Sequence, residues 1–205
     1  PRDVDKAIDE SIPKDLEERS LTVVDVLPQA YIIDDQAGVI DPTGMYGCCL
    51  GAETFISLGV STHLANLRSV LESCGCENFQ WMASSVALAE MTFTSAEKAS
   101  SSLLIDLGEK SISALLYYKN SLVEAWELPF GLDRVAEGIA DQLQNDVSTA
   151  TEVLRSYEPD PITDEVIEAA AKPMLTALHK ELVQSLCYVQ HPPTYLLISG
   201  QGALP

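Results

Sequence analysis

Residues 101–131 constrain the fold more strongly than any other part of this chain. An apolar run ends in Asp106-Leu107-Gly108, a second apolar run turns back at Lys119-Asn120, and a third ends shortly before Gly131. This pattern predicts three consecutive strands followed by a helix. A carboxylate at a strand end can hold a Mg²⁺-bound water, and glycine lets backbone N–H groups approach an anion. The segment therefore predicts a loop that contacts phosphate groups.

Composition indicates a folded protein and argues against nucleic acid or membrane lipid as a direct partner. Hydrophobic residues make up 46% of the 205 residues, which is enough for a sizeable core in one large or two small domains. No apolar run approaches the roughly 18 residues that read as a membrane span. The net charge is −19, from 31 acidic residues against 12 lysines and arginines. Such a charge repels nucleic acid and anionic lipid, so we expect neither as a direct partner.

The cysteines and histidines do not form a recognisable catalytic or metal site. Cys48-Cys49 are predicted to alternate across a strand, Cys74-x-Cys76 to bracket a helix end, and Cys187 to lie in a helix. A structural zinc site would need two well-spaced pairs. The prediction is reduced, partly buried thiols, typical of a cytoplasmic protein. No Ser-His-Asp or Cys-His arrangement is present, so no catalytic residue is assigned.

A polar stretch of small residues at 94–100 divides the chain into two predicted domains, residues 1–97 and 98–205. The elements predicted for the first are a helix at 3–10, β-runs at 21–33 (interrupted at Pro28) and 48–60, a helix capped by Ser61 with an apolar face, and a helix at 82–93. The elements predicted for the second are the three strands, helices beginning at Leu132, Asp146 and Thr163, and a strand at 195–198. Pro173 is expected to kink or divide the last helix. This order describes an α/β layer domain.

Several motifs, in this order and at these intervals, resemble the FtsA family of actin-like bacterial division proteins. The resemblance covers nearly the whole chain. It is carried by residues 26–34, Asp41-Pro-Thr-Gly44-Met45, Asp106-x-Gly108, Leu128-Pro-Phe-Gly131, residues 150–155 and Ser199-Gly-Gln-Gly202.

The resemblance implies a partial actin-like ATPase fold of the α/β class. Residues 1–97 would hold a short helix and the inserted α+β subdomain of the SHS2 type, called 1C, and residues 98–205 the subdomain called 2A. The family binds ATP with Mg²⁺, polymerises, tethers the tubulin-like FtsZ to the membrane and recruits later division proteins. Its members act at the cytoplasmic side of the division-site membrane.

The resemblance also implies a set of nucleotide contacts. The residues are Asp106 (second phosphate motif and metal-water ligand), Gly108 (same motif), Gly131 (glycine turn), Glu152 and Arg155 (near ribose and adenine), and Gly200 and Gly202 (adenosine motif). Purely structural roles for these residues remain as alternatives. Asp106 could end a strand and cap a turn, Glu152 and Arg155 could form an exposed i,i+3 pair, and the two last glycines could only shape a turn.

Departures from the family pattern predict that ATP and Mg²⁺ binding is weak or lost. Glu109, Lys110 and Ser111 stand where the family's phosphate loop continues with glycines and threonines. Glu109 brings like charge toward a triphosphate, and side chains block the close backbone approach that glycine permits. Leu132 and Gln201 interrupt two further glycine motifs. The first phosphate loop, subdomain 2B and the family's membrane helix are not recognised, so the chain is either a fragment or a reduced member.

The favoured function is an FtsA-like scaffold or adaptor of cell division, with self-association through residues 21–93 and partners among late division proteins. FtsZ binding is expected to be poor, because residues 157–164 are too few to hold the subdomain 2B that grips the FtsZ tail in the family. Two alternatives remain: an ATPase of the actin and Hsp70 superfamily, and an adaptor resembling the pilus protein PilM. Catalysis is expected to be weak ATP hydrolysis at most.

Overall fold

The computed structural model describes residues 2–158, 160–186 and 192–200. The chain forms two compact units. One is built from the chain up to Ser95 together with Asn120–Val123, and the other from Ala96–Lys119 together with the chain from Glu124 onward. Among the described residues, no helix combines the length and the apolar character needed to cross a membrane.

The first unit contains a three-stranded antiparallel sheet with helices before and after it. Its elements are α1 (Arg2–Ser11), β1 (Leu21–Ile33), β2 (Gln36–Val39), β3 (Leu50–Val60), α2 (Ser61–Ser73) and α3 (Ser84–Thr92), and α4 (Ser95–Ala99) begins at its end. The sheet order is β2-β1-β3. The predicted interruption at Pro28 is wrong, because β1 runs through it. The pairing with β3 instead shifts between Pro28 and Ala30, which accommodates a residue without an N–H group.

Helix α1 covers one end of this sheet and closes a small core. Val4 and Ile8 of α1 pack against a buried cluster of Tyr31, Ile33 and Val39. The contact is extended by a hydrogen bond of 2.8 Å between the Ser11 and Thr54 hydroxyl groups. An amphipathic helix of this length gains its stability from such packing, since it is too short to be stable alone.

The loop before β3 differs from the prediction. Cys48 and Cys49 precede the strand rather than alternate within it, and both are exposed, as are Cys74 and Cys76, so the prediction of partly buried thiols is wrong for these four. Both backbone N–H groups, of Cys48 and Cys49, donate to the Oδ1 atom of Asp34, at 2.9 and 2.8 Å. This acceptor lies 14 residues upstream and holds the loop out of the sheet. Cys187 lies outside the described residues.

Helix α2 has the predicted position, but the prediction that Ser61 caps it is wrong. The helix begins at Ser61, so Val60 is the capping residue, and the Ser61 hydroxyl hydrogen-bonds the Thr22 hydroxyl at 2.7 Å instead. The helix buries none of its residues: Leu67 is 53% and Val70 59% exposed. Apolar periodicity indicates a helix face, but it does not say what covers that face.

The second unit contains a four-stranded mixed sheet. Its elements are β4 (Ser101–Leu107), β5 (Ile112–Tyr118), β6 (Ser121–Leu128), α5 (Leu132–Leu143), α6 (Val147–Arg155), α7 (Pro161–Leu186) and β7 (Tyr195–Ser199). The sheet order is β6-β5-β4-β7, with β4 antiparallel to β5 and parallel to β7. Lys119 and Asn120 have φ angles of 52° and 65°, as a two-residue hairpin turn requires.

Helices α5 and α7 pack on one face of this sheet. Alternate residues of β4 and β5 form a buried cluster with residues of both helices; these include Leu103, Ile105, Leu107, Ile112, Leu116, Val135, Ile139, Ala170, Met174 and Leu178. Gly138 lets the two helices approach closely, because a Cβ atom there would lie 3.1 Å from the Cβ of Ala170. The N-terminus of α5 forms part of the site described below.

Thr163 was predicted to cap α7, which places the cap three residues too late. Asp160 caps the helix instead: its Oδ2 accepts hydrogen bonds from the Thr163 backbone N–H (3.2 Å) and hydroxyl (3.1 Å). Pro161 then occupies the first helical position, where its missing N–H costs nothing. Pro173 does not divide the helix, which continues to Leu186.

We expect Ile139→Ala to destabilise the second unit by about 2 to 5 kcal/mol, because Ile139 is fully buried (0% exposed) between α5 and the sheet. Leu143→Ala on the same helix is the control, since Leu143 is 44% exposed, and it should cost less than about 1 kcal/mol. Urea unfolding followed by circular dichroism measures both. An equal loss of stability in the two variants would contradict the burial of Ile139 between α5 and the sheet.

Candidate functional site

Asp106, Gly108, Gly131 and Gly200 come together at the carboxyl ends of β4 and β7. Asp106 is paired in parallel register with Ser199, the residue before Gly200. A Cβ atom on Gly200 would lie 2.3 Å from the Leu107 carbonyl oxygen, and one on Gly131 would lie 2.4 Å from that of Gly108. This sheet edge is where α/β domains place their ligands.

The Asp106 carboxylate stands on the sheet face opposite to α5 and α7, since it alternates with the buried Ile105 and Leu107. In the described part of the chain, no lysine or arginine forms an ion pair with it. Within the same residues, no group of three or more His, Cys, Asp or Glu side chains could hold a metal ion. One carboxylate fits a contact to a Mg²⁺-bound water but does not make a metal site without phosphate ligands.

The backbone donors at the N-terminus of α5 are occupied by the chain itself. The four bonds are Gly131 N–H to Asp133 Oδ1 (3.2 Å), Leu132 N–H to Gly108 O (3.0 Å), Asp133 N–H to Glu109 O (2.9 Å) and Arg134 N–H to Asp133 Oδ1 (2.8 Å). A helix N-terminus binds an anion through N–H groups that lack an intrahelical partner. Here those groups hold the β4–β5 loop and the Asp133 carboxylate instead.

Gly131 is required by this contact and not by an unusual φ angle. Its φ is −153°, which is extended backbone. An added Cβ atom would lie 2.4 Å from the Gly108 oxygen and 2.6 Å from the Glu109 oxygen, both of them backbone atoms that cannot rotate away. Gly200 has both requirements, because its φ is +96° and the Leu107 backbone lies against it. Gly202 lies outside the described residues.

A cavity of about 360 Å³ lies between the β4–β5 loop, α5 and α6. Its apolar lining is Leu132, Ala136, Val147 and Leu154, and its polar lining is Glu109, Asp133, Thr151 and Arg155. Glu109 and Leu132, which both depart from the family pattern, thus line the same cavity as Arg155. With two carboxylates against one guanidinium, its charge does not favour a polyphosphate.

Helix α6 carries Arg155 to this cavity and is fixed by its N-cap. The hydroxyl of Ser148 and the backbone N–H of Thr149 donate to Asp146, and these bonds lower the pKa of Asp146 to about 2. The predicted helix start at Asp146 is therefore confirmed. Glu152 is exposed and does not line the cavity, and the structure shows no ion pair between Glu152 and Arg155.

Sequence reasoning missed Asp133. Its carboxylate accepts from two N–H groups and so completes the closure of the α5 N-terminus. A signal was present, because an acidic residue in the first turn of a helix stabilises that end of the helix. Which carbonyl groups would take the remaining donors depends on a loop more than 20 residues upstream, and no local pattern shows it.

Gly131→Ala should destabilise the second unit by about 1 to 3 kcal/mol or more, because its methyl group would be driven into two backbone carbonyls. Gly51→Ala is the matched control, since its Cβ would make an ordinary contact of 3.7 Å with Ile32. Thermal unfolding of both variants decides the matter. A Gly131→Ala protein as stable as the control would mean that the loop does not press on α5.

Comparison with known proteins shows which family this chain resembles. The family model described as "SHS2 domain inserted in FTSA" matches residues 1–57. The cell division protein FtsA of Neisseria meningitidis serogroup B is 28% identical over 159 residues, which cover 76% of this chain and 37% of that protein. FtsA of Bacillus subtilis is 24% identical over 209 residues, covering 89% of this chain and 47% of that protein. This chain is FtsA-like. It spans less than half the length of either relative.

Solved structures show the fold, and they confirm the mixed α/β, actin-like architecture expected from the resemblance. The PilM-PilN type IV pilus biogenesis complex has a TM-score of 0.63 at 20% identity, covering 98% of this chain and 56% of the matched chain. MreB5 of Spiroplasma citri bound to ADP has a TM-score of 0.54 at 15% identity, covering 71% and 55%. At these identities the likeness concerns the fold of the FtsA-like chain and not its ligands.

Proposed function

We propose that this FtsA-like chain is a scaffold or adaptor of bacterial cell division that acts through protein–protein contacts and carries a degenerate or incomplete ATP site. The observation that supports this function best is the agreement of the FtsA relatives across three quarters or more of the chain. In this proposal residues 1–97 correspond to subdomain 1C and residues 98–205 to subdomain 2A. The protein would act at the cytoplasmic face of the division-site membrane.

The degenerate ATP site is supported by the closed N-terminus of α5. Nucleotide phosphates need free N–H donors, and four of them are already bound to the chain. Asp106 stays available for a Mg²⁺-bound water, and Arg155 for contact with a nucleoside. A nucleotide would have to displace the loop carbonyls and approach Glu109, and both steps reduce its net binding free energy.

We expect the dissociation constant for Mg-ATP to be weaker than about 10 μM, which corresponds to about −7 kcal/mol. Glu109→Gly should strengthen binding by removing a like charge and a side chain from the loop. Titration calorimetry measures both proteins, with Glu181→Gln on α7 as the control for a lost distant charge. Tighter binding by the unmodified chain, or no gain in Glu109→Gly over the control, would overturn the proposed reason.

A PilM-like adaptor is the second candidate, favoured by the structural likeness across 98% of the chain. The turn at residues 41–45 favours the FtsA interpretation instead. In that turn the Asp41 carboxylate accepts hydrogen bonds from Thr43, which lower the pKa of Asp41, and Gly44 has a φ of +81°. A working ATPase is the third candidate, and its test is the calorimetric titration above.

The interaction surface is proposed to lie in residues 21–93. Large apolar side chains are exposed there without forming a core, namely Ile40, Met45, Tyr46, Leu67, Val70 and Met91, and Tyr46 is 100% exposed. Exposed apolar side chains are candidates for association, because burying them against another molecule is favourable. Proposed partners are a second copy and late division proteins, with poor binding to FtsZ because the chain between α6 and α7 is short.

We expect the intact chain to associate with increasing concentration, since exposed apolar groups gain free energy when they are buried. Tyr46→Ser with Leu67→Ser should weaken this association at least about fivefold, or about 1 kcal/mol. The control is Leu175→Ser, a half-exposed leucine of the second unit. Sedimentation velocity from about 1 to 100 μM measures the association. A strictly monomeric chain, or equal loss in the control, would place the surface elsewhere.

A further inference from the structure

An open groove of about 480 Å³ lies between α5 and α7, separate from the cavity that contains Arg155. Small residues from both helices line it, namely Gly138, Ala169, Ala170 and Ala177. Small side chains let a third helix approach two packed helices closely, as in helical bundles. The shape of the groove thus suits a helix better than an extended peptide, which would need a sheet edge.

Pro173 leaves one backbone carbonyl of α7 without its usual helical donor. Proline has no backbone N–H, so the carbonyl of Ala169, four residues earlier, loses the donor that an ordinary helix would supply. Ala169 and Pro173 both line the groove and both are exposed. A side chain with N–H groups, such as that of lysine or arginine, can bind this oxygen while its aliphatic stem covers the alanines.

The charged side chains of the groove favour the same kind of ligand. Glu137 and Asp141 line it, together with a single base, Arg134. The Arg134 guanidinium is already 3.8 Å from the Glu137 carboxylate. The groove therefore presents more acceptors than donors, and the chain as a whole has a net charge of −19. A cationic partner is attracted by both.

We propose that the groove docks an amphipathic helix of another protein, a helix that places small or aliphatic residues against Gly138 and Ala170 and lysine or arginine side chains near Glu137, Asp141 and the Ala169 carbonyl. A second copy of this chain does not meet the requirement. Among the described helices, none has more basic than acidic side chains. The docking surface is distinct from the association surface proposed in residues 21–93.

The test uses the intact chain and a fluorescent synthetic helix of about 18 residues built from alanine, leucine and lysine, long enough to be helical when bound. The matched probe has glutamate at every lysine position. Fluorescence anisotropy should show the lysine peptide binding at least about tenfold more tightly than the glutamate peptide. Ala169→Leu, which fills the groove at an exposed position, should weaken the lysine peptide by at least about tenfold, with circular dichroism confirming that the variant is folded.

Two charge variants separate the groove from general attraction to an acidic protein. Glu137→Gln with Asp141→Asn removes two charges from the groove, and Glu168→Gln with Glu181→Gln removes two from exposed positions of α7 that do not line it. Only the first pair should weaken the lysine peptide, by at least about threefold at low salt. Equal effects of the two pairs, equal binding of the two peptides, full binding to folded Ala169→Leu, or no binding at about 100 μM would each overturn the proposal.

Discussion

The contact between the β4–β5 loop and the first turn of α5 determines what the second unit can do. Two carbonyl groups of the loop and one carboxylate of the helix take the N–H groups that start α5. The same bonds fix the loop over the sheet edge and explain why Gly131 has no room for a side chain. Stabilising this end of the helix and binding an anion there compete for the same donors. This chain uses them for its own stability.

That competition gives the substitutions in the loop a physical meaning. In a loop of glycines the backbone could turn its N–H groups outward, whereas Glu109, Lys110 and Ser111 restrict it. The backbone oxygen of Glu109 faces the helix and its side chain lines the neighbouring cavity. Glu109 therefore takes one of the four donors through its backbone oxygen and also brings a carboxylate to the cavity beside them.

The sequence predicted the elements that depend on local patterns. The hairpin at Lys119-Asn120 and the helix start at Asp146 followed from residue types that act within a few positions. Contacts between distant parts of the chain were not predictable in this way. Periodicity could not show that α2 buries none of its residues, and nothing near Cys48 shows that Asp34 accepts its N–H. At the α7 start, the predicted cap Thr163 donates to Asp160, which caps the helix, and Pro161 fits the position after that cap.

At the candidate site, too, some features were predictable from the sequence and others were not. The order of motifs predicted which residues would resemble a nucleotide cleft, and the fold brings Asp106, Gly108, Gly131 and Gly200 to one sheet edge. The sequence did not show that N–H groups at the start of α5 are already hydrogen-bonded, because the loop carbonyls that accept from them lie more than 20 residues away.

Asp34 has a further consequence for the first unit. Its carboxylate accepts two consecutive N–H groups and its backbone N–H donates to the Cys49 carbonyl at 2.9 Å, so these bonds close the segment between β1 and β3 into a ring. The exposed Ile40 and Tyr46 lie inside that ring. A fastened loop has already lost most of its conformational entropy in the free protein. A partner that binds these side chains would meet a loop whose ends are already joined, so less of the binding free energy would be spent on ordering the loop.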